Sequence, residues 1–180
     1  MSSTRTYQPP LRLGDRLLGI DPGLAITGFA VVEVGMEDAI LCEAGVLRGE
    51  GQSLPDRLRA LYQGVADLIE QYHPRALAIE QLYSHYDHPQ TAVQMAHARG
   101  AILLAAGLWG VPTIGYAATT IKKTITGNGR ATKEQIQHAL AHELRLAEVP
   151  EPPDVADALA VVLCHFHLTE KAQLVQALAG

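Results

Sequence analysis

The sequence has few of the features that define a function class directly. It contains two cysteines, Cys42 and Cys164, too few for a disulfide framework or a thiolate metal site. The longest apolar run worth considering as a membrane span covers residues 101–109, far short of the roughly 20 residues that a spanning helix needs. The N-terminal segment lacks the apolar middle of a secretory signal. We therefore expect a cytoplasmic protein that does not associate with membranes.

A strong positive charge is also absent. The formal net charge is −5 and the sequence pI is about 5.9, which is not the balance of a typical nucleic-acid-binding domain. The segment 115–135 departs from this pattern, because four basic residues and one acidic residue give it a net charge of +3. These residues are Lys122, Lys123, Arg130, Lys133 and Glu134. Such a surface fits a polyanionic substrate, and a solvated helix and loop would give the same pattern.

Length and composition predict a single globular domain. The chain has 180 residues, of which 48% are hydrophobic, enough to bury a core and too many for a disordered chain. Residues 1–14 are mostly polar and include a proline pair. We expect a flexible leader over residues 1–14 and one domain over residues 15–180.

The first part of the domain has the pattern of an antiparallel meander. Leu17 to Ile20 form an apolar run that ends on Asp21, and Pro22-Gly23 turn the chain. Residues 26–34 and 40–47 are rich in β-branched and apolar side chains and are separated by a short turn. Three successive strands are therefore predicted, with Asp21 at the end of the first. An aspartate in this position is often only a turn former.

A crossover helix and a fourth strand are predicted next. Ser53 is a suitable N-cap for an amphipathic helix that ends at His73-Pro74. Residues 76–79 are apolar and end on Glu80. A strand that follows a crossover helix normally returns parallel in the same sheet. If it lies beside the first strand, Asp21 and Glu80 share one edge of the sheet.

The rest of the chain is predicted to be mainly helical. The expected elements are a helix over 91–108, a strand over 111–114, a helix over 117–124, a helix from the capping box Thr132–Gln135 to Leu144, and a last helix from about Asp154 to at least His165. The helix over 91–108 is apolar on most faces of its second half. Such a helix is either buried in its own domain or buries one face on a partner, as in a dimer.

Two further carboxylates stand at the start of the last helix. Asp154 and Asp157 are three residues apart and project from one face, although acidic residues here also simply stabilise the helix dipole. Together with Asp21 and Glu80 they would form a crowded anionic cluster whose members raise one another's pKa. Hard divalent cations prefer such oxygen ligands, and a pair of them promotes phosphoryl displacement. The four carboxylates therefore indicate metal-dependent phosphodiester chemistry.

Four segments resemble the RuvC family of bacterial Holliday-junction resolvases. They are LGIDPG at 18–23, AIEQLY at 78–83, the stretch from Tyr116 through Lys122 to Lys133, and DVADALA at 154–160. The segments occur in the family's order and close to its spacing, and the resemblance extends from about Leu17 to His167. This combination is far more specific than any one of the segments.

The resemblance implies an RNase H-like α/β fold, with a five-stranded mixed sheet flanked by helices. It implies a homodimer that nicks two opposed strands of four-way junction DNA during recombination and repair, leaving 5′-phosphate and 3′-hydroxyl ends. It also implies that Asp21, Glu80, Asp154 and Asp157 bind the catalytic metal, two Mg²⁺ per site with Mn²⁺ as an alternative. The RuvA–RuvB branch-migration complex is the implied protein partner.

The resemblance also suggests DNA contacts outside the carboxylates. Tyr83 stands where the family usually presents phenylalanine, and its ring could stack on an unpaired base or simply pack on the surface. Lys122 and Lys133 match the family's basic positions near the cut phosphate. Arg130 precedes a helix N-terminus and is a further candidate for a phosphate contact.

Two other functions remain open at this point. One is another RNase H-like nuclease, such as the ribosomal-RNA-processing relatives that share the Ile-Asp-Pro-Gly type of opening. The other is a junction-binding scaffold without catalysis, against which the four intact acidic positions argue. The histidines are interpreted as structural or DNA-proximal, and His165 is of most interest because it follows Asp157 by two helical turns.

Overall fold

The computed structural model describes residues 10–82 and 89–179, and a mixed sheet lies at its centre. The strands are Arg16–Asp21 (β1), Ile26–Val34 (β2), Ala39–Arg48 (β3), Ala76–Glu80 (β4) and Thr113–Tyr116 (β5). Their order across the sheet is β3-β2-β1-β4-β5. The first three strands pair antiparallel, whereas β4 is parallel to both β1 and β5. The five-stranded mixed sheet expected from the sequence is confirmed.

Five helices lie within the described residues, and two of them begin where the sequence predicts a capping residue. They are Leu54–Tyr72 (α1), Pro89–Leu108 (α2), Ala118–Thr126 (α3), Lys133–Glu143 (α4) and Pro153–Ala179 (α5). The Ser53 hydroxyl accepts a hydrogen bond from the amide of Asp56 at the start of α1. Thr132 and Gln135 form the reciprocal capping box that opens α4. Both predicted N-termini are thus confirmed.

The helices cover both faces of the sheet. Leu18 and Ile20 face α1 and α2 and belong to a buried cluster with Ile102 of α2. Leu17 faces the other side, where it packs with α5 residues such as Leu159. Successive strand residues point to opposite faces, so a strand that is covered on both sides is apolar throughout. This explains the continuous apolar run that precedes Asp21.

The fifth strand lies two residues later than the sequence predicts. The Val111 amide donates to the carbonyl of Ala106 at 2.9 Å and so continues the end of α2. Pro112 has no amide to donate and accepts from the Leu77 amide at 2.9 Å. The strand therefore extends to Tyr116, which pairs with Glu80 at the end of β4.

Residues 10–15 contact the domain beside β1 and β2. The Gly14 amide donates to the carbonyl of Val34 at 2.9 Å, and the Val34 amide donates to that of Asp15 at 2.8 Å. The Arg75 guanidinium lies 3.2 Å from the Asp15 carboxylate. None of the helices in residues 10–82 and 89–179 combines the length and the apolar character needed to cross a bilayer.

Candidate active site

Asp21 and Glu80 lie at the carboxyl ends of two neighbouring parallel strands. The register places Ile20 beside Ile79, so the residues that follow them are adjacent at the same edge of the sheet. Both carboxylates are half-buried. The crossover rule predicts from the sequence that the two strands are parallel, and the structure shows that they are also neighbours, the condition on which the shared edge depended.

Helix α5 brings the other two carboxylates to the same edge. Asp154 and Asp157 occupy its first turns and are half-buried. Both lie close enough to Asp21 to raise the pKa of its carboxyl group. The four predicted acidic residues therefore form one electrostatically coupled cluster, contributed by β1, β4 and α5.

Two glycines allow α5 to lie directly on the sheet. A β-carbon at Gly28 would stand 1.9 Å from the carbonyl oxygen of Asp154, and one at Gly19 would stand 2.6 Å from that of Ala158. Any side chain at these positions would push the helix away. Because Gly28 pairs with Asp21 across β1 and β2, this close approach occurs beside the carboxylates. Neither glycine was predicted from the sequence to position a helix, although a glycine inside a strand often marks a close approach of backbones.

The pKa of Asp21 shows the effect of burial and of the neighbouring charges in the cluster. The pKa of its carboxyl group is raised from 3.8 to about 7, first by burial and then by the charges of Asp157, Glu80 and Asp154, in that order. The Lys133 ammonium has the opposite effect on this pKa. At neutral pH the Asp21 carboxyl group is therefore partly protonated, whereas an isolated aspartate would have lost its proton.

Two lysines face the carboxylates across a small cleft. Its volume is about 270 Å³, and it is lined by Glu80 and Asp157 as well as Lys122 and Lys133. The Lys133 ammonium donates a hydrogen bond to Asp157 at 3.2 Å, and this pairing raises the pKa of the lysine. Burial and the charge of Asp157 raise the pKa of Glu80, while Lys122 and then Lys133 lower it. Both predicted lysines thus line the cleft beside the carboxylates, and their contact with DNA stays a prediction.

Of the other two predicted DNA contacts, Arg130 does not line this cleft. Arg130 lies in a neighbouring groove of about 830 Å³ between α3 and α5. Among the described residues that line the groove, Lys123, Arg130 and Lys171 are cationic and none is acidic. Tyr83 falls outside the described residues, so its stacking role stays a prediction.

The histidines of α5 have structural partners. His165 is buried, and its Nδ1 shares a hydrogen bond of 2.7 Å with the hydroxyl of Tyr116. Burial lowers the pKa of His165 to about 4, so the ring is neutral at physiological pH. His167 pairs instead with Glu143 at 2.7 Å. These contacts agree with the structural interpretation of both residues.

The donor chemistry of the cluster fits hard divalent cations, since all four acidic residues offer only oxygen ligands. As the side chains stand, however, the described residues include no group of three or more Asp, Glu, His or Cys arranged to hold a metal ion. The Lys133 ammonium occupies one oxygen of Asp157 in this arrangement. Cation binding by these residues would therefore require side-chain rearrangement within a backbone that already brings the four acidic residues together.

Comparison with known sequences identifies one family. The sequence model of the family described as crossover junction endodeoxyribonuclease RuvC matches residues 17–165. A relative with that description from Rhodopirellula baltica is 48% identical over 164 residues, which cover 91% of this chain and 92% of the relative. Another from Hydrogenovibrio crunogenus is 42% identical over 150 residues, covering 83% and 86% of the two chains.

Solved structures give the same result. RuvC of Thermus thermophilus in complex with a Holliday junction substrate superposes with a TM-score of 0.79 at 32% identity, covering 84% of this chain and 92% of that one. The yeast mitochondrial Holliday junction resolvase superposes with a TM-score of 0.67 at 11% identity, covering 94% and 86%. The second likeness shows the fold alone. The RNase H-like fold predicted from the sequence is confirmed.

Proposed function

This chain belongs to the RuvC family of crossover junction endodeoxyribonucleases, and we propose that Asp21, Glu80, Asp154 and Asp157 are the residues with which it cuts four-way DNA junctions. The family is metal-dependent. The observation that carries the residue assignment is the convergence of four carboxylates from three elements at one sheet edge.

The electrostatic cost of this convergence supports a cation site. A buried carboxylate next to like charges is strained unless positive charge offsets it, and the pKa of about 7 at Asp21 expresses that strain. The Lys133 ammonium offsets part of it in the arrangement described here. We propose two Mg²⁺ ions per site, held by the four carboxylates, with Mn²⁺ as a substitute. Bound ions would supply the positive charge that stabilises the attacking and leaving oxygens of the phosphodiester.

Lys122 and Lys133 have a separate part in this proposal. Both line the cleft beside Glu80 and Asp157, so a phosphate approaching the carboxylates would meet their ammonium groups. A lysine in this position orients the backbone phosphate and stabilises the charge of the transition state. Release of Asp157 by Lys133 would free one carboxylate for a cation and one ammonium for the DNA.

The reaction is hydrolysis of a phosphodiester. Water adds to phosphorus, the bond from phosphorus to the 3′-oxygen breaks, and the products are a 5′-phosphate and a 3′-hydroxyl. The Asp21 carboxyl must give up its proton before it can ligate a cation, so its raised pKa makes cation binding stronger at alkaline pH.

A homodimer would place two such sites on one junction. Helix α2 exposes apolar side chains, among them Leu104 at 56% and Leu108 at 66% exposure. Gly100 and Gly107 on the same helix leave open space at their surface, which would allow a second helix to approach closely. Two identical sites related by a two-fold axis match a junction with two opposed strands to cut. From family membership alone we also propose the RuvA–RuvB complex as the partner that presents the junction.

The assignment is tested on a synthetic four-way junction with each strand labelled in turn. Asp21→Asn, Glu80→Gln, Asp154→Asn and Asp157→Asn should each abolish nicking in Mg²⁺ and Mn²⁺ while junction binding in Ca²⁺ persists. Asp67→Asn is the matched control, because this exposed residue lies on α1 and should cut normally. Full activity in any of the four variants would remove that residue from the site. Preferential cutting of structured RNA would instead favour the ribosomal-RNA-processing type of nuclease.

A further inference from the structure

Arg99 of α2 is bonded to the end of the strand that carries Glu80. Its Nη1 donates a hydrogen bond of 2.5 Å to the backbone carbonyl oxygen of Glu80. The side chain is half-buried, and burial lowers the pKa of the guanidinium group. Placing a charged group in this position costs free energy unless it makes good hydrogen bonds. The hydrogen bond to the main chain of Glu80 offsets this cost and attaches the side chain to the end of β4.

The bond to Arg99 is part of a small network at the ends of β4 and β5. The Gln81 amide donates to the carbonyl of Tyr116 at 2.8 Å, and the Gln81 side chain donates to the carbonyl of Gly115 at 3.0 Å. A β-carbon at Gly115 would stand 2.9 Å from Cγ of Gln81 and 3.5 Å from Nη2 of Arg99. Glycine at 115 therefore leaves space for both side chains over the end of the sheet.

Arg99 acts on the backbone and not on the charge of the site. Among the described residues, Lys122 and Lys133 are the cations that lower the pKa of the Glu80 carboxyl group. The guanidinium instead contacts the carbonyl oxygen, which lies on the main chain of the residue whose carboxylate faces the cleft. A group that fixes this carbonyl restricts the direction in which the Glu80 side chain can leave the strand.

Helix α2 also connects two parts of the molecule. Next to Arg99 in the sequence, Ala98 is buried, and Ile102 one turn later is buried as well. Leu104 and Leu108 are exposed on the face proposed for the dimer.

We propose that Arg99 is a positioning residue that fixes the end of β4 to α2 and thereby holds Glu80 in its ligating direction. The proposal rests on the function proposed above for Glu80. It assigns to Arg99 no contact with the DNA and no contact with the reacting atoms. Displacement of a ligand by about 1 Å is enough to lower a rate by about 10²-fold, so a local change here has a measurable effect.

The main variant is Arg99→Gln, which retains a polar side chain that is too short to keep the same bond. Its single-turnover rate of junction cleavage at saturating protein should fall by at least about tenfold. Junction binding in Ca²⁺ and the dimer mass should be unchanged. Arg99→Lys, which retains a long cationic donor, should recover part of the rate. Arg59→Gln is the matched control, because Arg59 is an exposed arginine on α1.

Hydrogen exchange gives a readout that is independent of catalysis. The Gln81 amide, bonded to Tyr116, should exchange faster in Arg99→Gln, whereas amides of β1 and β2 should keep their protection. If Arg99→Gln does not fold, Gly115→Ala displaces the same side chains by a smaller change. It should also lower the rate and the protection of Gln81.

Several outcomes would overturn the proposal. A wild-type cleavage rate in Arg99→Gln would do so, and so would weakened junction binding with unchanged exchange at Gln81, which would make Arg99 a DNA contact. Faster exchange throughout the core would show a general structural role. If the function proposed for Glu80 is itself wrong, Glu80→Gln will cut junctions at the wild-type rate, independently of the result for Arg99→Gln.

Discussion

Replacing Gly28 by alanine tests whether the position of α5 on the sheet determines activity. The added β-carbon would stand 1.9 Å from the carbonyl oxygen of Asp154 and 2.6 Å from its carbonyl carbon. Both atoms belong to the backbone, so no side-chain rotation can relieve the clash. The helix must move away from β2, or β2 must move away from the helix.

The size of this movement follows from the same distances. Ordinary contacts of a β-carbon begin at 3.4 Å, so the oxygen must retreat by about 1.5 Å in the direction of the clash. Overpacking of this kind costs about 1–3 kcal/mol of stability. The same movement carries Asp154 and Asp157 away from Asp21 and Glu80. Since misplacement by about 1 Å costs about 10²-fold in rate, we expect at least that loss.

The assay compares Gly28→Ala with Gly45→Ala. A β-carbon at Gly45 would stand 3.0 Å from the ring of Phe29, which packs with the α1 and α2 side of the sheet. Both variants should lose stability in urea, but only Gly28→Ala should lose single-turnover cleavage with junction binding retained in Ca²⁺. A folded Gly28→Ala protein that cuts at the wild-type rate would refute the argument that close contact of α5 with β2 places the carboxylates.

Three further predictions concern charge and association. The Asp21 carboxyl group has a pKa of about 7 in the folded protein and about 3.8 in the unfolded chain. The folded state therefore binds this proton more tightly, and the stability that results is complete below about pH 3.8 and is lost as the pH rises through 7. In EDTA, urea unfolding should therefore show stability falling from about pH 4 to about pH 7 in the wild type and less so in Asp21→Asn; parallel curves would contradict the raised pKa. Lys133→Ala should slow cleavage at saturating DNA by about tenfold or more, and an unchanged rate would limit this lysine to its pairing with Asp157. Leu104→Glu should convert a dimer to a monomer in light scattering and abolish paired nicking, whereas a dimeric variant would place the interface elsewhere.

Much of the sheet could be predicted from local patterns. The apolar runs that end on Asp21 and Glu80 are continuous because helices cover both faces of these strands. The crossover rule then places the two strands in parallel. The fifth strand begins two residues later than predicted. Val111, which bonds to Ala106, and Pro112 belong to the turn after α2 and not to the strand. Such a competition between turn and strand depends on hydrogen bonds between distant segments.

The arrival of α5 at the same edge was harder to predict for a physical reason. The spacing of Asp154 and Asp157 determines that they share a helix face, but not which part of the sheet that face meets. The meeting point depends on where the backbones can come closest, and Gly19 and Gly28 decide this by leaving no side chain in the way. These glycines lie in strands whose other residues give a strong β pattern, so their meaning appears only with the helix in place. Because Gly28 pairs with Asp21, the position that admits the helix is also the one beside the first carboxylate, and a substitution that spares every acidic residue can still separate them.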